Sequence, residues 1–295
     1  DYINSADHSS AADVTNDGSM LFANNTITYN QGYGLRIYRY ASANLARNAT
    51  INGTISILNN TITNNADAGM YVWNYAFSTD AYSATLDGPV RIEDNTVTYN
   101  SGYGIYTYNY VQKYQGDQNG TAEIRGPLTV RNNEVAFNLG YNAVQVTRSA
   151  ASYTGSTAYV GGDIDVSSNR VYNNSGNGID IDFSSYKYLG KASGLSVIES
   201  NLTLENNWVA NNSLYIGVAI DRVSTTYYSS ASRLLGWTRI RGNLIEGHDS
   251  NGLFVQQRTL NYYGSSGAES LQRGDILVEN NIVRKNNQAA AYFYY

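Results

Sequence analysis

Two pairs of aspartates are the residues with the clearest capacity for chemistry. Asp163 and Asp165 are two residues apart, as are Asp180 and Asp182, and alternate residues of a strand share one face. Two carboxylates at that separation can act as the acid and base of glycoside hydrolysis, or can ligate Ca²⁺. The same spacing suits a solvated strand face, so a catalytic, a cation-binding and a purely structural interpretation all stay open.

Other residue types with catalytic chemistry are sparse. The chain has two histidines, His8 and His248, and no cysteine, which excludes thiolate metal sites, disulfides and a Cys nucleophile. His248 replaces an Asn of the repeat described below, which favours a turn side chain over a general base. No Ser-His-Asp set, phosphate-binding loop or His-cluster metal motif can be assembled. We therefore expect no cofactor and no metal, with a structural Ca²⁺ at the aspartate pairs left open.

A repeat of about 36 residues must position these side chains. One motif, typified by NNTITYN, occurs eight times at spacings of 35 to 38 residues. The second residue of the motif is Asn in every copy. We call these eight residues the ladder asparagines: Asn25, Asn60, Asn95, Asn133, Asn169, Asn207, Asn243 and Asn281.

Each repeat carries a pattern of short strands. The residues five and three before the ladder asparagine and two after it are apolar, with Thr238 as the exception, and this alternation indicates strands with one buried face. Asn or His stands five residues after the ladder asparagine, and Gly stands seven before it in all copies but one. Both tolerate positive φ, so these positions predict corners. A third strand begins ten residues after the ladder asparagine.

Repeats of the form N-N-T-I-T-x-N, followed by G-I-x-V, resemble the right-handed parallel β-helix repeats of the pectin-lyase-like superfamily and the NosD-like repeats. The resemblance covers residues 17–293. It implies an all-β solenoid of three short parallel sheets, with coils about 4.8 Å apart and equivalent Asn side chains bonded along the axis. We expect one domain over residues 1–295: an N-terminal extension at 1–13, eight coils over 14–293 and an aromatic C-terminal end at 292–295.

The repeat is longer than the resemblance requires. A minimal coil of this kind has about 22 residues, so each coil here carries an extra arm of about 14 residues. The arms are rich in Tyr, Ser, Ala and Gly, and an apolar residue usually stands nine positions before the ladder asparagine. This pattern predicts that part of the arm is a further strand.

Enzymes of that superfamily usually act on acidic polysaccharides with charged residues on the outer face of one sheet. The segment GIDIDF, which contains Asp180 and Asp182, is similar to the Asp motif of polygalacturonases, but the accompanying Gly-His-Gly and Arg-x-Lys signatures are missing. Outward positions such as Glu93, Arg131 and Glu205 alternate in sign along the axis instead, which favours a ladder of opposite charges.

Aromatic residues also align on the predicted outer face. Tyr38, Trp73 and Tyr108 fall at one position of the third strand, with Tyr71 and Tyr106 beside them. Aromatic faces can stack on sugar rings, and they can also supply contact area between packed arms or subunits. The sequence favours packing and keeps sugar binding as the alternative.

The ends of the predicted column lack an obvious cap. Solenoids need polar or helical caps, because their end coils expose unpaired strand edges and apolar side chains. Heterologous end-to-end contact between identical columns would cover both ends and would generate an open filament. The residues expected to mediate this assembly are Tyr2, Ile3, Tyr292, Phe293, Tyr294 and Tyr295.

Composition limits the partners and suggests a location. The net charge of −5, without a basic cluster, disfavours nucleic acid, and no apolar run is long enough for a membrane span. A first residue of Asp1 rather than Met predicts a secreted chain, extracellular or at the cell surface after removal of a signal peptide. Possible glycosylation sites are Asn24, Asn48, Asn52, Asn59, Asn119, Asn173, Asn201 and Asn211.

Two functions follow as hypotheses. The leading one is a secreted structural glycoprotein without enzymatic activity, whose subunits assemble end to end into an extracellular filament or surface layer, so that its partner is itself. The alternative is a carbohydrate-active β-helix enzyme, such as a polysaccharide lyase or glycosidase, or a glycan-binding module. In that case glycans are the partners, and the aspartates Asp163, Asp165, Asp180 and Asp182 are the candidate catalytic residues.

Overall fold

The structure, a computed structural model, describes residues 2–8, 13–43, 48–79, 82–114, 120–153, 157–188, 194–213, 215–227, 231–262 and 269–294, without the side chains of 2–8. The regular secondary structure in these residues consists of β-strands in four parallel sheets, which we call A to D. Within each sheet, every strand pairs in parallel with the equivalent strand of the neighbouring coil.

The strands of the four sheets are as follows. Sheet A contains Tyr2–His8, Leu35–Ala43, Met70–Ser78, Ile105–Lys113, Asn142–Ser152, Asn177–Lys187, Val218–Tyr227, Leu253–Tyr262 and Ala291–Tyr294. Sheet B contains Val14–Asn16, Ala49–Ile51, Ala84–Leu86, Thr121–Ile124, Thr157–Gly161, Leu195–Glu199, Ala231–Leu235 and Glu269–Arg273. Sheet C contains Met20–Ala23, Ile55–Leu58, Val90–Glu93, Leu128–Arg131, Ile164–Ser167, Leu202–Glu205, Thr238–Arg241 and Ile276–Glu279. Sheet D contains Thr26–Thr28, Thr61–Thr63, Thr96–Thr98, Glu134–Ala136, Arg170–Tyr172, Trp208–Ala210, Leu244–Glu246 and Ile282–Arg284.

The chain winds through the sheets in the order C, D, A, B, and completes seven full turns between Met20 and Ile276. The predicted parallel β-helix is therefore confirmed. The arm does contain a strand, and these strands form sheet B. The column has four sheets where the resemblance alone implied three, because the long strands of sheet A and the returning strands of sheet B use the extra residues of each coil.

The corners differ in one respect from the sequence prediction. Positive φ falls one residue before the ladder asparagine, as at Asn59 (φ 54°) and Asn132 (φ 56°), and one residue before the second corner Asn. Tyr99 and Phe137 adopt positive φ at this second position, although they lack the conformational freedom of Gly. The corner asparagines themselves do not adopt positive φ, and their contribution is the hydrogen bonds that their side chains form along the column.

Two ladders of amide side chains run along these corners. In the first, Nδ2 of Asn133 donates to Oδ1 of Asn169 at 3.0 Å and to the carbonyl oxygens of Ile92 and Arg131, while its Oδ1 accepts from Asn95. The second ladder consists of Asn30, Asn65, Asn100, Asn138, Asn174, Asn212, His248 and Asn286. Both ladders have a direction, since amide donors point to the following coil and acceptors to the preceding one.

The interior is largely apolar, and most of its buried polar side chains outside the corners belong to the long strands of sheet A. Ile57, Ile92 and Val130 are fully buried members of one apolar column. Arg39 and Arg148, which share one register position of sheet A, are also buried, and their guanidinium groups donate to carbonyl oxygens of the Gly corner before sheet C. Desolvation lowers the pKa of both groups to about 10, so they stay charged at neutral pH.

Candidate functional site

The two ends of the column expose positions that interior coils bury. We call the edge formed by Val14–Asn16, Met20–Ala23 and Thr26–Thr28 the leading surface, and the edge formed by Glu269–Arg273, Ile276–Glu279 and Ile282–Arg284 the trailing surface. Val278 of the trailing surface is 39% exposed, whereas its equivalent Ile92 is fully buried. Another coil stacked on the trailing surface would bury Val278.

The outer face of sheet C carries a leucine at each end. Along the register of this sheet, the residues equivalent to Leu21 and Leu277 are polar in all six intervening coils: Ser56, Arg91, Thr129, Asp165, Thr203 and Arg239. Leu21 is 67% exposed and Leu277 is 39% exposed. An outward leucine therefore occurs at this position in the two end coils alone.

One inward position of sheet B shows the reverse pattern, because it is apolar in the interior coils and polar in the two end coils. The column in sheet B that contains Ile51, Leu86, Ile124, Val160, Ile198 and Leu234 is aliphatic, but it begins with Asn16 and ends with Gln272. Within the described part of the chain, the buried Nε2 of Gln272 has no hydrogen-bond acceptor. The two polar members of this column lie on the leading and trailing surfaces.

The amide ladders end in complementary groups. At the trailing surface, Asn286 accepts from the His248 N–H at 3.0 Å, but its buried Nδ2 has no acceptor among the described residues. At the leading surface, Asn25 and Asn30 donate to the second coil, and none of the described residues donates to the Oδ1 of either. One end of the column thus offers amide donors and the other offers amide acceptors.

The predicted assembly residues lie beside these surfaces. Tyr292, Phe293 and Tyr294 belong to the last strand of sheet A and are 47%, 39% and 49% exposed. The backbone of Tyr2 and Ile3 belongs to the first strand of sheet A, paired with Ile37 and Tyr38. Tyr295 lies outside the described residues. The sequence analysis did not single out Leu21, Leu277, Gln272 or Asn286, which the register alone reveals.

A second candidate site occupies the outer face of sheet A. In the early coils this face is an aromatic wall, in which Trp73 lies 5.0 Å from Tyr38 and 6.3 Å from Tyr108 between ring centroids. Tyr71 contacts both Tyr38 and Tyr106, as the sequence alignment of the third strand implied. The Nε1 of Trp73 is buried without an acceptor in the described structure.

Beyond the wall lies a cleft of about 410 Å³ that contains carboxylates. Asp182 pairs in register with Asp221 of the next coil, and Asp221 accepts from Arg258 at 3.2 Å. Asp180 lies two residues before Asp182 and accepts from Nδ2 of Asn142 at 2.8 Å. The sequence analysis missed Asp221 and Arg258, and the register of sheet A, which aligns VAIDRV with IDIDFS, places Asp221 beside Asp182.

The environment raises the pKa of all three carboxyl groups. Burial and the neighbouring charge of Asp182 raise the pKa of Asp180 to about 7. Burial and the charge of Asp221 raise the pKa of Asp182, and burial raises the pKa of Asp221, which Arg258 opposes. Carboxyl groups whose pKa is raised by burial and by neighbouring charges are candidates for proton transfer.

The other predicted aspartates lie elsewhere. Asp163 is exposed at the corner before sheet C, where its Oδ1 accepts from Nδ2 of Asn201 at 3.0 Å, and Asp165 lies on the outer face of sheet C. The two aspartate pairs therefore belong to different sheets, and the fold does not bring them together. Searched across the described ranges, no cluster of His, Asp and Glu is arranged to hold a metal ion.

His248 occupies the second amide ladder. Its imidazole is 1% exposed, and its Nε2 lies 3.1 Å from the carbonyl oxygen of Val209. Desolvation by burial lowers its pKa. His248 thus stands at a corner in place of Asn. The side chain of His8 lies outside the described part of the structure.

The possible glycosylation sites are mostly accessible. Asn24, Asn48, Asn52, Asn59, Asn173 and Asn211 are exposed, Asn201 is partly exposed and Asn119 lies outside the described residues. Asn24 and Asn59 are bonded to each other, with Nδ2 of Asn59 donating to Oδ1 of Asn24 at 2.7 Å. Within the residues that the structure describes, no helix has the length and hydropathy needed to cross a bilayer.

Comparison with known proteins bears on the fold. The sequence model of the family described as "right handed beta helix region" matches residues 3–188, which is more than half of the 295-residue chain. A search of curated proteins and a search of solved structures each returned no match.

Proposed function

We propose that this chain, which belongs to the family of right-handed β-helix proteins, is a structural subunit whose copies stack head to tail into a filament. The observation that carries the proposal is the pair of exposed leucines at one outward register position of sheet C. If the trailing surface of one copy meets the leading surface of the next, Leu277 and Leu21 become neighbours about 4.8 Å apart. Two exposed apolar residues would then cover each other.

The remaining end groups support the same contact. Stacking in register places Gln272 beside Asn16, Val278 beside Phe22 and Asn286 beside Asn30 of the next copy. Each pairing joins side chains of like polarity, and the last one supplies an acceptor to the buried Nδ2 of Asn286. Further coils of a longer chain would also cover the trailing surface, but the match between the two surfaces favours a second copy.

A charge placed at the leucine contact tests the proposal. Leu277→Asp should abolish filaments, because the carboxylate would be desolvated against Leu21 of the next copy, and removing a charge from water is costly. Leu139→Asp is the matched control, since Leu139 is 66% exposed on a corner and lies on neither end surface. Electron microscopy and sedimentation at equal concentrations would compare the two variants. Equal assembly of both would refute the contact.

A charge swap makes the test specific. In the double variant Leu277→Asp with Leu21→Lys, every junction would pair an aspartate with a lysine of the adjoining copy, and opposite charges directly opposed in a sheet are favourable. Filaments should return in the double variant although each single variant stays dispersed. A double variant as dispersed as Leu277→Asp would show that these two residues do not meet.

The proposal includes an extracellular location. Six exposed sequon asparagines lie on the sides and corners of the column, where attached glycans would project into solvent. Intact-mass measurement on material from the native source would detect attached glycans. Protein found inside cells and free of glycan would contradict this part of the proposal while leaving assembly untouched.

A second candidate function is glycan binding or cleavage on sheet A. It is favoured by the aromatic wall at Tyr38, Trp73 and Tyr108, which adjoins the cleft lined by Asp182 and Asp221. Aromatic rings bind sugar faces, and carboxyl groups with a raised pKa in a cleft are candidates for proton transfer. Trp73→Ala should weaken polysaccharide binding, and Asp182→Asn should abolish cleavage without loss of binding. Absence of binding by the unaltered protein across a polysaccharide panel would remove this candidate.

A further inference from the structure

We infer that the interior of the column contains a binding site for a halide ion, between the side chains of Asn109 and Arg148. The inference goes beyond the proposed function, because the site lies inside the column and does not depend on assembly. Its starting point is one inward column of sheet A, which runs in register through Arg39, Asn74, Asn109 and Arg148. All four side chains are buried, so each of their hydrogen bonds must be made inside the protein.

The two arginines of this column carry buried charges without a carboxylate partner. Among the described residues, neither Arg39 nor Arg148 forms an ion pair. Their terminal nitrogens donate to backbone carbonyl oxygens, which form hydrogen bonds but supply no counter-charge. Because buried charges are normally paired, the surroundings of these arginines favour an anion.

The hydrogen bonds of the column have a direction that Arg39 imposes. A guanidinium group can donate but cannot accept, and Nε of Arg39 donates to Oδ1 of Asn74 at 2.6 Å. The amide of Asn74 therefore turns its Nδ2 toward the following coil, where it donates to Oδ1 of Asn109 at 2.6 Å. This arrangement leaves Nδ2 of Asn109 on the side of Arg148, its partner in the register of the next coil.

Arg148 cannot accept that hydrogen bond. Its own Nε is buried and has no acceptor in the described structure, and none of the described residues accepts from Nδ2 of Asn109. Rotation of the amides does not remove the conflict, because two amides between two groups that only donate always leave two donors facing each other at one place. An acceptor between Asn109 and Arg148 would satisfy both nitrogens.

The strands that pack across the interior offer no acceptor side chain. Two strands of sheet B, Thr121–Ile124 and Thr157–Gly161, contact the long strands that contain Asn109 and Arg148. Their inward residues are apolar and buried: Ala122, Ile124, Ala158 and Val160. The acceptor must therefore come from outside the chain, and the small alanine side chains leave room for it.

A halide fits these surroundings better than a water molecule. A water that accepts from both nitrogens has two hydrogens of its own to donate, and a buried water normally makes about three hydrogen bonds. The apolar inward residues of sheet B cannot accept those hydrogens. A halide only accepts, and its negative charge would offset the buried charge of Arg148. The ligand is therefore chloride, for which bromide can substitute in a diffraction experiment.

Anomalous X-ray diffraction would locate the ion. The full chain would be unfolded in urea and refolded with sodium bromide in place of sodium chloride, so that the interior forms in the presence of bromide, and would then be crystallised. The expected result is an anomalous bromide peak between Nδ2 of Asn109 and Nε of Arg148. Electron density at that place without an anomalous signal would indicate a water molecule and would overturn the inference. Bromide found solely on the outer surface would overturn it as well.

A variant with a built-in acceptor gives an independent test. In Asn109→Asp, one carboxylate oxygen would accept from Asn74 and the other from Nε of Arg148, with a side chain of unchanged size. The folding equilibrium constant of the unaltered protein should rise about tenfold for each tenfold rise in chloride above its dissociation constant. That of Asn109→Asp should not change with chloride. Urea unfolding in mixtures of sodium chloride and sodium gluconate, at constant ionic strength, would measure both.

The matched control is Asn132→Asp, which adds the same charge on an exposed corner. Asp94 already occupies the equivalent positive-φ position of another coil, so this variant should fold and should keep the chloride dependence. Equal chloride dependence in Asn109→Asp and Asn132→Asp would indicate a general salt effect and would contradict the site. A folding equilibrium of the unaltered protein that is insensitive to chloride would contradict it too. Neither outcome bears on filament formation, so the proposed function would be unaffected.

Discussion

An interior coil and the last coil of this column have nearly the same motif but different environments. Nδ2 of Asn100 donates to Oδ1 of Asn138 at 2.9 Å and to two carbonyl oxygens, whereas Nδ2 of the equivalent Asn286 has no acceptor among the described residues. Ile92 is fully buried and its counterpart Val278 is 39% exposed. Each coil therefore completes its neighbour, and the last coil leaves these positions exposed or unpaired within the described structure.

The largest expected effect comes from breaking an interior ladder. Asn133→Ala removes a side chain that makes three donor contacts and accepts two hydrogen bonds in a buried corner. Because buried groups left without partners cost about 1–3 kcal/mol each, we expect a loss of about 3–5 kcal/mol in unfolding free energy. Asn25→Ala, at the exposed first corner, should cost less than about 1 kcal/mol. Urea unfolding would compare the two, and equal costs would contradict the distinction between interior and end.

The next effect is a pH dependence of stability that arises in the middle of the column, where Asp180 lies, and not at its ends. The folded-state pKa of Asp180 is raised above its unfolded value, so its contribution to stability is present below pH 4 and is lost as the pH rises through about 7. This loss amounts to at most about 4 kcal/mol. The melting temperature should fall between pH 5 and pH 8, and less so in Asp180→Asn. Asp182 and Asp221 act in the same direction.

Filament formation should respond less to the same pH change. The proposed end contacts are formed by amides and by apolar side chains such as Leu21, Leu277 and Val278, which do not titrate. Light scattering at pH 5 and pH 8, well below the melting temperature at each pH, would test this. If assembly decreases from pH 5 to pH 8 together with the melting temperature, the end contacts depend on the titrating carboxyl groups in the middle of the column.

A smaller effect follows from removing the aromatic end. Deletion of residues 292–295 should raise the concentration needed for assembly by about 100-fold, equivalent to ~2.7 kcal/mol. The exposed side chains of Tyr292, Phe293 and Tyr294 would no longer be buried at the junction. The circular dichroism spectrum should keep its β-sheet signal. Unchanged assembly would argue against a contact through the end of sheet A.

The smallest effect concerns one hydrogen bond. Asn286→Asp replaces the unpaired donor of the second ladder with an acceptor, which would face Oδ1 of Asn30 in the adjoining copy. We expect about a tenfold weaker association, or ~1.4 kcal/mol. Asn280→Asp is the control, because Asp94 already occupies the equivalent positive-φ corner in another coil. If both variants assemble equally well, the ladders do not continue across the junction.

Much of the fold could be predicted because its causes are local and repeated. Eight copies of one motif identified the corners, the apolar columns and the strand in the arm, although positive φ falls one residue before the predicted Asn and the column has four sheets. The candidate sites were harder to predict. Leu21 and Leu277 are ordinary in isolation and become unusual only when the exact register of sheet C places them in one column.

The cleft on sheet A was partly hidden for a related reason. The coil that contains Asp221 is shifted by one residue relative to the repeat, so its inward and outward positions could not be assigned from spacing alone. The buried Arg39 and Arg148 gave no signal either, because a guanidinium bonded to corner carbonyls has no sequence motif. Both features depend on contacts between coils.

The most direct test of the central claim is negative-stain electron microscopy of the purified, undenatured protein over a range of concentrations. Head-to-tail stacking predicts unbranched filaments one column wide that lengthen as concentration rises. Dispersed particles of one column each, at concentrations where edge-paired sheets should associate, would contradict the account and would leave the cleft of Asp182 and Asp221 as the site to pursue.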